Sequence, residues 1–224
     1  MLHFLKSLSR TVHQCPEELE KEILKNHDNS NYDTEEDCTI SLTVWRKSLI
    51  FSCINGFTVI GSDGSLVYRV DNYSRCSDQV VLMDGSGNPI FTICRRRKLR
   101  LVDWSWLVYD GEVSKSRINS SSSKPIFYVR KNMKILGKSS KVLAYVYDGV
   151  LYDKKCAYTI EGSYTHRMCK ILDESRSVLA EIKRKQDAAG GVSFGLEVFV
   201  LSFRPGLDSG VAMAIVSLLD QMFS

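Results

Sequence analysis

With 224 residues, 44% of them apolar and 25% charged, the chain is long enough to bury a full hydrophobic core and too apolar for a disordered tail. Its formal charge of +4 is unevenly spread: residues 1–38 hold four Lys/Arg against nine Asp/Glu, leaving 26 and 17 in the remainder, so a head of −5 precedes a body of +9. A basic body favours acidic partners such as phosphate-bearing lipids or nucleic acid, without specifying a fold.

Residues 1–38 combine a short apolar patch (Leu2, Phe4, Leu5, Leu8, Val12) with an acidic stretch ending in Asp33-Thr-Glu-Glu-Asp37. The stretch cannot bury enough apolar surface to order itself, so 1–38 is expected to be a flexible acidic head, and 39–224 the folded domain. Met1 to Leu8 is too short and too interrupted by His3 and Lys6 for the apolar core of a leader peptide. Seven cysteines, an odd number with no Cys-x-x-Cys, point to reduced thiols inside a cell, whether in the cytoplasm, at the periphery of a membrane or in the nucleus. Cys94, Cys156 and Cys169 fall in apolar strand patterns and are expected to pack as small hydrophobes.

From Thr43 onward, short runs rich in Val, Ile, Phe and Tyr alternate with turn clusters: Asn55-Gly56, Asp63-Gly-Ser65, Asp84-Gly-Ser-Gly-Asn-Pro89, Asp110-Gly111, Asp148-Gly149 and Asp173-Glu-Ser175. Gly and Asn accept positive φ and Asp or Ser side chains close such turns, so these are hairpin signals. They delimit strands near 43–51, 57–61, 66–70, 79–84, 90–95, 98–109, 126–133, 142–147, 156–161, 168–173, 177–185 and 196–204. About a dozen strands without intervening amphipathic helices predict a mostly β barrel or sandwich. The segment Leu82-Met-Asp-Gly-Ser86 is echoed by Ile171-Leu-Asp-Glu-Ser175. A shared hairpin type accounts for the echo without duplication and is the preferred reading, although two related half-barrels would predict it too.

Pro205-Gly206 ends the last strand, and Asp208 is placed to cap a terminal helix over Leu207 to Phe223. Val211 to Val216, Leu218 and Leu219 put apolar groups almost all round this helix, so it must be buried. Its apolar run is well short of the roughly 20 residues that span a bilayer. The prediction is therefore a closed antiparallel barrel of about twelve strands around a buried hydrophobic C-terminal helix, with no transmembrane span.

Catalytic and metal motifs are weak. His166 and Cys169 stand three apart without a second ligand pair. The Asp84 turn has Arg95 where a calcium loop needs a bidentate Glu, and Gly137-Lys-Ser139 follows Asn132 where a phosphate loop needs its first glycine. No nucleophile elbow occurs, and no metal or cofactor is expected. The most prominent chemical feature is Arg95-Arg-Arg-Lys98 with Arg100. In a continuing strand Phe91, Ile93, Leu99 and Leu101 share the inward parity, and Arg96, Lys98 and Arg100 the outward one. Arg95 and Arg97 fall on the inward parity, so a bulge or bend is predicted near 95–97. Lys183, Arg184 and Lys185 form a second basic group.

The segments Thr43-Val-Trp-Arg-Lys-Ser48, Gly56-Phe-Thr-Val59, Leu66-Val-Tyr-Arg-Val-Asp-Asn-Tyr73, Val81-Leu-Met-Asp84, Gly87-Asn-Pro-Ile90, Trp106-Leu-Val-Tyr109 with Gly111-Glu112, and Leu219-Asp-Gln-Met222 resemble the plant LURP-one-related proteins over nearly all of Thr43 to Met222. The chain departs from that pattern at Asp103-Trp104-Ser105, where a His-Asp-Arg-like triplet is usual. The resemblance implies the fold of Tubby C-terminal domains and phospholipid scramblases, a twelve-stranded barrel around a hydrophobic helix. It implies a link to plant defence and supplies no catalytic residues. Together these features predict a non-enzymatic, monomeric binding module. Its expected ligands are anionic phospholipid headgroups, phosphoinositides above all, held by Arg96, Lys98, Arg100, Lys183 and Lys185. The alternative is a protein-interaction or regulatory role with no lipid ligand, using residues 1–38 as the partner-binding segment. Nucleic acid is disfavoured, since no recognition motif or aromatic stacking stripe accompanies the basic run.

Overall fold

A computed structural model describes residues 39–47, 56–71, 79–97, 104–119, 123–132, 141–149, 156–185 and 194–223. The acidic head 1–38 lies outside them, as do Lys98 and Arg100. Twelve strands are present: β1 (Ile40–Trp45), β2 (Gly56–Ile60), β3 (Leu66–Asp71), β4 (Gln79–Asp84), β5 (Pro89–Arg97), β6 (Trp104–Asp110), β7 (Phe127–Lys131), β8 (Val142–Asp148), β9 (Cys156–Ser163), β10 (Met168–Leu172), β11 (Val178–Arg184) and β12 (Val198–Phe203). Each pairs antiparallel with the next, and β1 pairs with β12 over Ile40↔Phe203 to Trp45↔Val198, closing the barrel. Closure leaves no strand edge open to another chain.

Among the described residues two helices accompany the strands, α1 (Lys115–Asn119) and α2 (Ser209–Phe223). The sequence gives no sign of α1, because five residues are too few for a helical periodicity to emerge. It accompanies a small second cluster on the outer wall, where Cys94, Leu107, Tyr109 and Val113 are buried against Ile118 and Tyr128. Thr92 fastens this cover: its Oγ1 donates to the Gly111 carbonyl at 2.6 Å and accepts from the Val113 N–H at 3.0 Å. Cys94 is therefore buried on the outer face, whereas Cys169 joins the interior and Cys156 is half-buried.

Inside the barrel the strands contribute alternate residues, among them Leu42 and Val44, Phe91 and Ile93, Phe127 and Val129, Ala180 and Ile182, and Phe199 and Leu201, and all of them pack around α2. Every α2 residue from Ala212 to Val216, with Leu218 and Leu219, has no exposed surface. Gly210 lets the helix approach the wall, since a Cβ there would sit 3.2 Å from the Phe91 ring. At the N-terminus, Asp208 Oδ1 accepts from the Val211 N–H at 2.9 Å, and the Ser209 and Tyr68 hydroxyls hydrogen-bond at 2.6 Å. Asp208→Ala is expected to cost about 0.5–2 kcal/mol, read as a lower urea midpoint with an unchanged slope.

The echoed hairpins share their turn type in detail. Asp84 Oδ1 accepts from the Asn88 N–H at 2.8 Å, and Asp173 Oδ1 accepts from the Ser177 N–H at the same distance. Both lie just after a register shift, at Leu82/Met83 and Ile171/Leu172. The hairpins β4–β5 and β10–β11 stand six strands apart in a twelve-strand ring, the placement that two related half-barrels produce.

Candidate functional site

The odd-numbered strands all finish at one end of the barrel, and α2 also ends there, its C-terminal turn meeting β7 and the β9–β10 turn. Among the described residues this end gathers Arg46, Lys47, Arg95, Arg96, Arg97, Arg130, Lys131, Lys141, Arg167, Lys183, Arg184 and Lys185, against Asp71, Glu197 and Asp220. The opposite end carries Asp63, Asp84, Asp110, Glu112, Asp148, Asp173, Glu174 and Asp208, against Lys124, Arg176 and Arg204. The barrel is thus electrically polar along its axis. Its polarity matches that of α2, whose N-terminus favours acids and whose C-terminus favours cations.

Four of these cations continue inward-facing rows: Arg46 follows Leu42 and Val44, Arg95 follows Phe91 and Ile93, Lys131 follows Phe127 and Val129, and Arg184 follows Ala180 and Ile182. Each has a partner at the barrel mouth. Arg46 Nε lies 2.9 Å from Asp220 Oδ1. Arg95 stands over the buried Trp106 ring at 5.9 Å. Lys131 Nζ donates to the Met222 carbonyl at 2.6 Å and lies 4.2 Å from the Phe223 ring centre. Arg184 Nε donates to the His166 carbonyl at 3.0 Å. Partial burial, then the neighbouring Arg95 charge, lowers the Lys131 pKa.

This arrangement corrects the expected bulge near 95–97. The β5–β6 ladder runs without a shift from Phe91↔Asp110 through Arg95↔Trp106, Arg96↔Ser105 and Arg97↔Trp104. The inward parity of Arg95 is accommodated because its position is the barrel mouth, beside the carbonyl-rich end of α2, rather than the apolar middle.

Among the described residues, the sequence-predicted basic residues stand on two sides of the ring. Arg96 is on β5 and Lys183 on β11, six strands apart on opposite sides of the ring, with Lys185 immediately after β11. Lys183 forms an ion pair with Glu181, which also receives Lys170 at 3.3 Å. Lys185 Nζ donates to Thr43 Oγ1 at 3.0 Å and stands over the Phe194 ring. What unites the two groups is the end of the barrel they share.

His166 and Cys169 stand in different surroundings. His166 is exposed on the β9–β10 turn with Nδ1 2.8 Å from Ser163 Oγ, whereas Cys169 is buried in the interior, where burial pushes its thiol up to about 12. An open groove on the outer wall is lined by Thr39, Val178 to Glu181, and Ser202 to Arg204, a set without His or Cys. No described helix is long and apolar enough to cross a membrane.

Comparison with known proteins agrees with this architecture. The crystal structure of an Arabidopsis thaliana protein, 23% identical, superposes with a TM-score of 0.57 over 83% of this chain and 92% of its own, which shows the shared fold. Arabidopsis thaliana LURP-one-related 17 is 46% identical over the full length of both chains, and LURP-one-related 8 is 47% identical over 84% of this chain and 90% of its own. Neither the family nor the barrel indicates an enzyme. The LURP-one-related family profile matches residues 40–220, from the first residue of β1 to the Asp220 that meets Arg46 at the barrel mouth, and the chain belongs to that family.

Proposed function

We propose that this protein is a non-enzymatic binding module, in a plant defence context, that docks the basic end of its barrel on anionic membrane lipids, phosphoinositides above all. The observation that carries this function is the axial polarity: among the described residues, basic residues from opposite sides of the ring converge on one end while acids collect at the other. Near an anionic bilayer such a body orients with that end toward the surface. Of the residues named from sequence, Arg96 acts from one side of the ring and Lys185 from the other, and Lys98 and Arg100, which lie outside the described residues, are proposed as further headgroup contacts. Lys183 contributes less, because Glu181 offsets its charge.

Each Lys or Arg near an anionic surface contributes about 1 kcal/mol, so losing three weakens binding by about a hundredfold. Arg96→Glu/Lys98→Glu/Arg100→Glu is expected to show at least that loss in co-sedimentation with phosphoinositide vesicles. Wild-type binding is expected to fall steeply between low and physiological salt. Equal recovery on neutral vesicles, or an undiminished folded variant, overturns the proposal.

A further inference from the structure

We propose that the β10–β11–β12 sector of the basic end is an interfacial foot: Met168, Phe194 and Leu196 enter the headgroup region of an anionic bilayer while Arg184 and Lys185 lie at its phosphates. This inference rests on the lipid-docking function proposed above and adds the face that docks and a second, apolar source of affinity.

Among the described residues four large apolar side chains are exposed, and three stand in this sector: Met168 at 65%, Phe194 at 44% and Leu196 at 42%. The fourth, Ile40, begins β1 at the opposite end. Met168 opens β10, and Phe194 and Leu196 precede β12, so they are distant in sequence and are brought together by the fold. Arg167, immediately before Met168, donates from Nε to the Leu196 carbonyl at 2.9 Å. The Arg184 Nε bond to the His166 carbonyl ties β11 to the same turn, and Lys185 Nζ lies 5.8 Å from the centre of the Phe194 ring.

The sector is rigidly backed. Arg167 is 4% exposed, with its guanidinium 4.3 Å from the Tyr164 ring centre and 4.6 Å from that of Phe199. Its loop therefore presents Met168 and Leu196 without an ordering cost at the moment of binding. Single exposed apolar side chains need no explanation, but three at one rim, bordered by cations, match the composition of interfacial membrane contacts. Aromatic and aliphatic groups settle at the boundary of headgroups and acyl chains, and long cationic side chains reach back to the phosphates. A two-fold contact between copies through this sector would set two basic ends against each other, which disfavours a second copy as the occupant.

The test uses the full chain with vesicles of phosphatidylcholine, with or without phosphatidylserine and a phosphoinositide. Phe194→Ser/Leu196→Ser is expected to lower the partition coefficient on anionic vesicles by about tenfold or more at physiological salt, with an unchanged melting temperature because both side chains are exposed. Met168→Ser checks the same direction from a different strand. In Phe194→Trp, the emission added to that of the three native tryptophans should shift to the blue and be quenched by brominated acyl chains on anionic vesicles. Unchanged partitioning of the double variant with an unshifted Phe194→Trp spectrum overturns the foot and leaves charge-driven docking standing. Absence of wild-type binding to any anionic vesicle overturns the docking function itself, and the foot with it. A dimer in sedimentation velocity that dissociates in the double variant assigns the sector to self-association and also overturns the foot.

Discussion

Ile215→Ala is expected to destabilise the protein by about 3–5 kcal/mol, in the upper part of the range for large-to-small core substitutions. Ile215 is fully buried in α2, which is surrounded by a closed, hydrogen-bonded wall. In an open sheet or a bundle, neighbouring elements can shift into a cavity. Here the twelve ladders fix the wall, and the helix cannot move toward one side without opening a gap on the other. At about 2–4 °C per kcal/mol for a chain of this size, the melting temperature should fall by roughly 6–20 °C. Ile215→Val, which removes one methylene, should cost only about 0.5–1.5 kcal/mol. A loss below about 1 kcal/mol for Ile215→Ala would mean that the barrel relaxes around its helix. The same burial bears on function: the apolar surface of α2 is committed to the core, so it is not available as a membrane anchor while the barrel is intact. The proposed affinity for a bilayer therefore draws on surfaces other than α2.

Sequence alone was sufficient for the barrel and its helix because both leave local signals. The Asp/Asn/Gly turn clusters mark where strands end, and an all-round apolar helix too short for a bilayer has few places to go except inside a sheet closed on itself. The charged residues were less legible. Strand parity assigned Arg95 to the inward face, but parity does not say how far along the barrel axis a residue sits. A bulge was inferred where the structure has an uninterrupted ladder reaching the end of α2. For the same reason Arg46 and Lys131 are not recognisable from sequence as partners of that end, nor Arg184 as a partner of the β9–β10 turn, although each follows two inward-facing residues in its own strand. Two basic runs that seemed to be candidates for one patch stand on opposite sides of the ring, a separation set by the order of twelve strands. Met168, Phe194 and Leu196 carried no distinguishing signal, because an apolar residue at the margin of a strand looks the same whether it closes the core or faces water.

Asp220→Ala is expected to cost about 2–4 kcal/mol, because Arg46 would lose its nearer counter-charge and the Tyr164 hydroxyl its acceptor. Asp220 is 5% exposed in the last turns of α2, where the helix dipole disfavours a carboxylate. Surrounding groups overcome that cost. Arg46 Nε lies 2.9 Å from Oδ1, an ion pair by distance rather than an aligned hydrogen bond, and Tyr164 donates its hydroxyl to the same oxygen at 3.2 Å. Burial, then the Asp220 charge, raises the Tyr164 pKa far above the usual phenol range, so Tyr164 remains a donor at every physiological pH. Arg46 also meets Glu197 through its backbone N–H at 2.8 Å and its Nη1 at 3.5 Å, which links the helix end to the segment bearing Leu196. Asp220→Asn keeps the shape and one acceptor oxygen, and should recover part of the loss. In a double-mutant cycle, Arg46→Ala/Asp220→Ala should cost clearly less than the sum of the single changes, because each single change already removes the interaction between the two charges. Additive costs would show that the pair is incidental. Coupling would make Asp220 the pin that holds α2, the end of β1 and the β9–β10 turn as one rigid rim, so a folded Asp220→Asn protein should bind anionic vesicles more weakly even though the substitution adds no negative charge.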